Sequence, residues 1–301
     1  MISPRVARGT PVIVMGISGR AGTLHSRLMK EYGTNIVGGV SPKTERNEIN
    51  GIPVFASCSD AVKATGATHC VALIAAPQLL AAMTEAVAAG IKYMVTPAEG
   101  MPVYDALKAR RLALDAGMLW IGPSTPGMAV PGDAKLGFLP NDSLRPGPLG
   151  VMSKSGTLSY EAGYRLSQRG IGQSVWIGVG GDPVKGAYYS DLVPFFAEDT
   201  QTEALLIIGE IGGHEEEDLA ATLKAQQFSK PVFALIAGRT APEGVAMGHA
   251  GALVHGNHGT FEAKRSALAA AGVQVFSSLN EMVEGVYAQF MKPPMNADKR
   301  R

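Results

Sequence analysis

Cysteine is scarce in this 301-residue chain, which contains two, Cys58 and Cys70. So sparse a pair offers neither a disulfide framework nor a cysteine-based metal site. Net charge is equally scarce. The 27 Lys+Arg less the 26 Asp+Glu leave +1, which removes the broad electrostatic argument for a nucleic-acid or membrane-surface protein. Long apolar runs are missing too. The most apolar region, Val71 to Gly90, is broken by Pro77, Gln78, Thr84 and Glu85, so it cannot span a bilayer unaided. The short apolar stretch near the start reads as a first strand rather than a signal-peptide core. A soluble, cytoplasmic protein is expected, with no nucleic-acid or membrane partner.

Glycine is what the chain has in excess. Its 37 glycines are about 12 % of the residues against a usual 7 %, with no collagen period. They suggest many tight loops that bring backbone close to a ligand. Hydrophobic residues at 46 % and charged residues at 18 % rule out a disordered chain, and the length suits two domains of about 150 residues each.

Strand and helix patterns alternate along the chain. Strands are expected at 12–15, 35–40, 70–74, 93–95 and 119–121, with helices to residue 31 and over 78–89 and 104–116. They resume at 149–152, 175–179, 204–208, 232–236 and 274–276. Strands separated by helices of roughly 10–15 residues imply parallel sheets with right-handed crossovers. The α/β reading has two doubly wound domains, 1–123 and 149–292. A proline-rich stretch, 124–148, would connect them, and a frayed tail, 293–301, would follow.

The first strand runs into Gly16-Ile17-Ser18-Gly19-Arg20-Ala21-Gly22 and then a helix. Backbone N–H groups at such a turn can hold a diphosphate. The G-x-x-G-x-x-G spacing is not the strict dinucleotide fingerprint. An NAD site wants an acidic residue after the second strand, where this chain has Lys43 and Arg46. Those cations suit the 2′-phosphate of NADP or the 3′-phosphate of coenzyme A, and both stay open at this point.

In the second half, four strands each run into a polar or glycine loop: Ser153-Lys154-Ser155-Gly156-Thr157, Gly180-Gly181-Asp182-Pro183, Gly209-Glu210-Ile211-Gly212-Gly213 and Ala237-Gly238-Arg239. In a parallel sheet all four lie at the carboxyl edge, where ligands bind. The Ser155-Gly156-Thr157 turn opens a helix and could receive a phosphate. It lacks the G-x-S-x-G elbow of a hydrolase nucleophile. His249 stands alone among small residues in Gly248-His249-Ala250-Gly251-Ala252. A neutral imidazole there could accept a phosphoryl group or act as a base, with Glu210 to orient it. His255 and His258 have no acidic ligand between them and His249, so no metal site is expected. The run Glu215-Glu216-Glu217-Asp218 is expected to be the solvated acidic first turn of a helix.

These loops, in this order, resemble the alpha subunit of succinyl-CoA synthetase and related acid–CoA ligases that form ADP or GDP, malate–CoA ligase-like relatives included. The resemblance runs from about Pro11 to Glu284. It is carried most specifically by Gly180-Gly181-Asp182-Pro183, Gly209-Glu210-Ile211-Gly212-Gly213 and Gly248-His249-Ala250-Gly251-Ala252. It implies a Rossmann-like CoA-binding domain followed by a flavodoxin-like ligase domain. It also implies an enzyme of the tricarboxylic acid cycle type. CoA would be held by Ser18, Gly19, Arg20 and Ala21, by Lys43, and by Pro97, Ala98 and Glu99. His249 would carry the phosphoryl group with Glu210 in support and Ser155, Gly156 and Thr157 around the phosphate. Tyr160 and Thr125 would lie near the acid. An ATP-grasp beta subunit would supply ATP or GTP with Mg2+, in an αβ or α2β2 assembly.

Three departures from the family pattern bear on the substrate: Pro42-Lys43-Thr44-Glu45-Arg46 after the second strand, Ser124-Thr125 before Pro126-Gly127, and Val245-Ala246 before the histidine loop. They leave malate, citrate or another dicarboxylate as acceptable as succinate. An NADP-dependent oxidoreductase, resting on the first glycine loop with Lys43 and Arg46, and a non-catalytic CoA-binding regulator are the alternatives.

Overall fold

The computed structural model describes residues 2–42, 45–242, 244–245, 248–249, 251–254 and 259–291. Lys43, His255, His258 and the tail 293–301 lie outside the described residues.

The first half begins with β1 (Val12–Met15), α1 (Arg20–Tyr32), β2 (Ile36–Val40), β3 (Glu48–Ile49) and β4 (Ile52–Phe55). It continues with α2 (Cys58–Thr65), β5 (His69–Ala72), α3 (Leu79–Ala88), β6 (Tyr93–Val95), α4 (Val103–Asp115) and β7 (Leu119–Ile121). The sheet order is β3-β4-β2-β1-β5-β6-β7, parallel except for the β3–β4 pair. Setting aside the short β3, this is the Rossmann order, with the switch point beside β1. All four residues of β1 are buried, as expected for a strand with helices covering both faces of its sheet. After β1 the chain turns back sharply. A Cβ on Gly22 would strike the Gly16 carbonyl oxygen and lie 2.8 Å from Ile17 Cα, so only glycine lets α1 start this close to the strand.

The second half contains β8 (Gly127–Val130), β9 (Ala134–Gly137), β10 (Pro146–Ser153), α5 (Gly156–Gln168), β11 (Gln173–Gly178), α6 (Tyr189–Glu198) and β12 (Ala204–Glu210). It ends with α7 (Glu215–Ala225), β13 (Val232–Ala237), α8 (Phe261–Ala270), β14 (Gln274–Phe276) and α9 (Leu279–Met291). The order is β14-β13-β12-β10-β11-β8-β9. Its five parallel strands follow the flavodoxin order, with the switch point at β10.

The stretch 124–148 is more than a connection. Its β8 and β9 form an antiparallel pair that extends the second sheet beyond β11. Both strands are wholly buried, and Pro126 and Pro131 flank β8 rather than interrupt it. Four-residue strands between prolines give too little alternation to read from sequence. The same brevity hid β3 and β4.

The two sheets share one hydrophobic cluster that runs from Val12 and Val14 through Met128 and Leu136 to Leu205 and Ile207. Polar contacts cross the same boundary. Arg5 Nη2 donates to both carboxylate oxygens of Asp199 at 3.0 and 2.8 Å. Thr34 donates to the Lys135 carbonyl at 2.8 Å. The His25 ring packs on Phe138 with centroids 4.2 Å apart.

Candidate active site

The carboxyl edges of the two sheets meet. A cavity of about 400 Å³ between them is lined by Pro97, Ala98 and Glu99 after β6, by Ser124–Pro126 after β7, by Lys154–Thr157 and Tyr160, and by His249. Pro97, Ala98 and Glu99 of the residues expected to contact CoA, with those expected at the phosphate and the acid, are thus gathered around the one histidine singled out from the sequence, whereas Ser18, Gly19, Arg20 and Ala21 are not among its lining.

Helix α5 aims its N-terminus into this cavity. Ser155 is its N-cap, accepting the Leu158 N–H at 3.2 Å. Ser153 braces the turn, accepting the Ser155 N–H at 3.1 Å and donating to the Ser155 carbonyl at 2.7 Å. Gly156 and Thr157 lie in the first turn, where backbone N–H groups have no intrahelical acceptor and the helix dipole favours an anion.

The His249 side chain is 25 % exposed, and its Nδ1 lies 2.6 Å from Glu210 Oε2. A carboxylate can only accept, so Nδ1 carries the hydrogen and Nε2 is left as the ring nitrogen with a lone pair. The hydrogen bond to Glu210 raises the ring's basicity above its ordinary value. Partial burial opposes this, the charges of Glu210 and Glu99 reinforce it, and Lys185 opposes it. The ring rests against Gly181, where a Cβ would stand 2.5 Å from its Cγ and Nδ1.

Glu210 is itself held from behind. Its backbone N–H donates to Glu216 Oε1 at 3.2 Å. Glu215 and Glu216 do not form the solvated turn expected from the sequence. They are buried among three lysines: Lys154 to Glu216 at 2.8 Å and to Glu215 at 3.4 Å, Lys185 to Glu215 at 2.9 Å, and Lys264 to Glu216 at 2.5 Å. Burial would push the Glu216 carboxyl up, but Lys154 and Lys264 outweigh it and hold it below its ordinary range. Asp218, 54 % exposed, does face outward, while Glu217, 27 % exposed, reaches the buried Lys264 at 3.0 Å. The expectation failed for its first two members because their cations come from two loops and a helix distant in sequence, which no local pattern reveals.

Tyr160 lines the cavity, and burial raises its phenol to about 12. Thr125 also lines it, but its hydroxyl donates to the Gly178 carbonyl at 2.5 Å and accepts the Gly127 N–H at 2.9 Å. That hydroxyl shapes the loop rather than offering a free donor. The neighbouring Ser124 bonds the Asp182 carboxyl, which is held above its ordinary range by burial.

A second cavity, of about 450 Å³, opens at the first switch point between Gly16, Ser18, Ser41, Pro42, Gln78 and Glu85. Ser18 and Ser41 share a hydrogen bond of 2.6 Å there. Gly19 caps α1, and Arg20 and Ala21 form its exposed first turn. The residues not anticipated are Asp182, Lys185, Glu215, Glu216 and Lys264. The sequence signal for Lys185 was a lysine two residues after the Gly180-Gly181-Asp182-Pro183 loop.

The chain also matches known proteins over most of its length. A family model described as CoA binding domain matches residues 7–100, and one described as CoA-ligase matches residues 152–274. The chain is 44 % identical over 283 residues to the alpha subunit of ADP-forming succinate–CoA ligase from Aquifex aeolicus, covering 93 % of this chain and 92 % of that one. It is 42 % identical over 249 residues to the malate–CoA ligase alpha subunit of Methylorubrum extorquens, covering 81 % and 84 %. It superposes with a TM-score of 0.83 on ATP citrate lyase from Methanothrix soehngenii in complex with citrate and coenzyme A. That match is at 23 % identity and covers 98 % of this chain and 53 % of the other. The chain therefore spans about half the length of that structure, and the likeness is one of fold. With a relative of 44 % identity matched over 93 % of its length, and both halves matched by CoA-related family models, this chain belongs to the family of succinate–CoA ligase alpha subunits.

Proposed function

We propose that this subunit makes a dicarboxylyl-CoA thioester, succinyl-CoA first among the candidates, with His249 as a covalent phosphoryl carrier. The observation that carries this reading is the Glu210–His249 contact of 2.6 Å beside the Ser155–Thr157 turn. Glu210 fixes the Nδ1–H, so the Nε2 lone pair is the nucleophile toward the terminal phosphorus of a nucleoside triphosphate. The P–O bond to the diphosphate breaks as the P–N bond forms. The phosphoryl group then passes from Nε2 to a carboxylate oxygen of the acid, restoring neutral imidazole and giving an acyl phosphate. The CoA thiolate attacks its carbonyl carbon and expels inorganic phosphate. A phosphorus–nitrogen bond keeps the transfer potential between steps, while the α5 N-terminus offers preorganised donors to the moving anion.

The first 123 residues are proposed to hold CoA. The cavity beside Ser18 and Ser41 is flanked by the glycine turn that a diphosphate requires, and Pro97–Glu99 would receive the thiol end near His249. Residues 149–292 would carry the phosphoryl chemistry. The nucleotide, ATP or GTP, and its Mg2+ are assigned to an ATP-grasp beta subunit in an αβ or α2β2 assembly working in the cytoplasm. No helix among the described residues is long and apolar enough to cross a membrane.

The test is thioester formation by the subunit with its beta partner, CoA, Mg2+ and either nucleotide, across succinate, malate and citrate. At least one dicarboxylate should be converted with stoichiometric nucleotide cleavage. Failure with all three, together with tight NADPH binding that CoA does not compete, would favour the oxidoreductase instead.

A further inference from the structure

Lys185 is only 1 % exposed, although nothing in the proposed chemistry calls for a lysine there. Its ammonium donates to the Gly180 carbonyl at 2.5 Å and to Glu215 Oε2 at 2.9 Å. The Gly180–Gly181 turn it grips is wedged on both sides. Gly180 has a φ of +92°, and a Cβ there would come within 3.0 Å of the Ser124 carbonyl oxygen. At Gly181 a Cβ would enter the His249 ring. The imidazole therefore rests directly on glycine backbone whose neighbouring carbonyl Lys185 holds. From the other side, Arg110 on α4 donates to the carbonyls of Lys185 and Gly186 at 3.1 and 2.9 Å. Its guanidinium lies 4.7 Å from the centre of the Tyr188 ring. The segment after Pro183 is thus clamped at its backbone and at its buried side-chain tip.

We infer that Lys185 is a positioning residue for His249, pinning the glycine turn that backs the imidazole and placing a fixed cation among the carboxylates that face it.

The charges around the ring give this arrangement its purpose. Glu210 on β12 and Glu99 after β6 act on His249 as anions, and the Asp182 carboxyl after β11 interacts with it as well. Lys154 also borders the cavity and is paired with Glu216 and Glu215, but of the two lysines it is Lys185 whose charge acts on the ring. Lys185 opposes the carboxylates' hold on the ring proton. A ring surrounded only by anions would keep its second proton to higher pH, and a doubly protonated imidazole has no lone pair with which to attack phosphorus. An ammonium taken out of water is costly, and Glu215 offsets that cost. Glu215 in turn accepts the Tyr189 N–H at 3.1 Å, so the cation is fixed to the start of α6 as well as to α7.

The functional consequence rests on the phosphohistidine reading, so the experiment separates the two. The His249 ring is titrated by NMR in the isolated chain, with histidine labelled at the ring carbons, in wild type, Lys185→Met and Lys185→Gln. The glutamine variant removes the cation but keeps a donor for the Gly180 carbonyl, and Glu215 keeps Lys154, so it tests the idea even if the methionine variant fails to fold. Either folded variant should raise the apparent pKa of the ring by about half a unit or more. Phosphoryl uptake in the presence of the beta partner should fall about tenfold, most steeply on the acid side. A titration unmoved within about 0.2 unit in the folded variant overturns the inference, because lost packing alone lowers the rate at every pH without moving the ring's proton affinity. The titration needs no nucleotide. A shifted ring in a protein that never takes up phosphate therefore defeats the carrier reading and leaves the inference standing, whereas an unmoved ring that still phosphorylates defeats only the inference.

Discussion

At the scale of single residues, the site is a balance of carboxylates and lysines around one imidazole. His249 was legible because it stands alone among glycines and alanines, and Glu210 because it is the one polar side chain in a glycine-bounded loop. Lys185, Glu215 and Glu216 were not, since four acidic residues opening a helix fit a solvated first turn, and burial depends on lysines brought from elsewhere by the fold. Glu210→Gln tests the pair. Because Glu210 raises the ring's pKa above its ordinary 6.5, the pair's contribution to stability is fully present below 6.5 and is lost as pH rises through the raised value. The stability lost in Glu210→Gln, followed by thermal unfolding, should be largest below pH 6.5 and shrink toward alkaline pH. The acid limb of phosphoryl uptake should move to lower pH while its plateau falls by about tenfold or more. A pH-independent stability difference would contradict the assignment.

At the scale of elements, the parallel strands were readable because they are short apolar runs ending in glycine loops. Expected and observed bounds coincide for β1, β6, β7 and β14 and differ by at most three residues at either end for the other parallel strands read from the sequence. The antiparallel β8–β9 pair was read as a linker because its prolines dominate so short a pattern. What the sequence did not reveal is how the loops are joined. Helix α7 presents Glu216, 0 % exposed, to Lys154 on the loop after β10 and to Lys264 on α8, so one carboxylate ties three elements behind the site. Glu216→Gln takes one of two carboxylates from each of two buried lysines, which keep Glu215 and Glu217, and should lower stability by about 1–3 kcal/mol, measured by denaturant unfolding near neutral pH. Lysines hold the Glu216 carboxyl below its ordinary 4.5. Its contribution is therefore present above 4.5 and lost as pH falls through the depressed value, and the gap between variant and wild type should narrow in acid. A loss below about 1 kcal/mol at neutral pH would mean that the pairing of Glu216 with Lys154 and Lys264 is not structural.

At the scale of the whole molecule, the alternation of strands and helices was enough to give two doubly wound sheets, whereas the order of strands in each is seen only in the structure, because right-handed crossovers fix the hand of each step and not its direction along the sheet. The shared core and the Arg5–Asp199 pair bind those sheets into one unit, a joining that periodicity within either half cannot show. Calorimetry should therefore record one transition with equal calorimetric and van't Hoff enthalpies, and two resolved transitions would contradict a common core. The same joining brings Glu99 from one sheet and the Ser155–Thr157 turn from the other to His249, and the proposed activity depends on that meeting. The most direct measurement of it is transfer of labelled terminal phosphate from the nucleotide to the subunit in the presence of its beta partner, comparing wild type with His249→Asn. The wild type should form an acid-labile, base-stable phosphoprotein that is discharged by the dicarboxylate and CoA, and the variant should form none. Equal labelling of the two proteins would contradict the account.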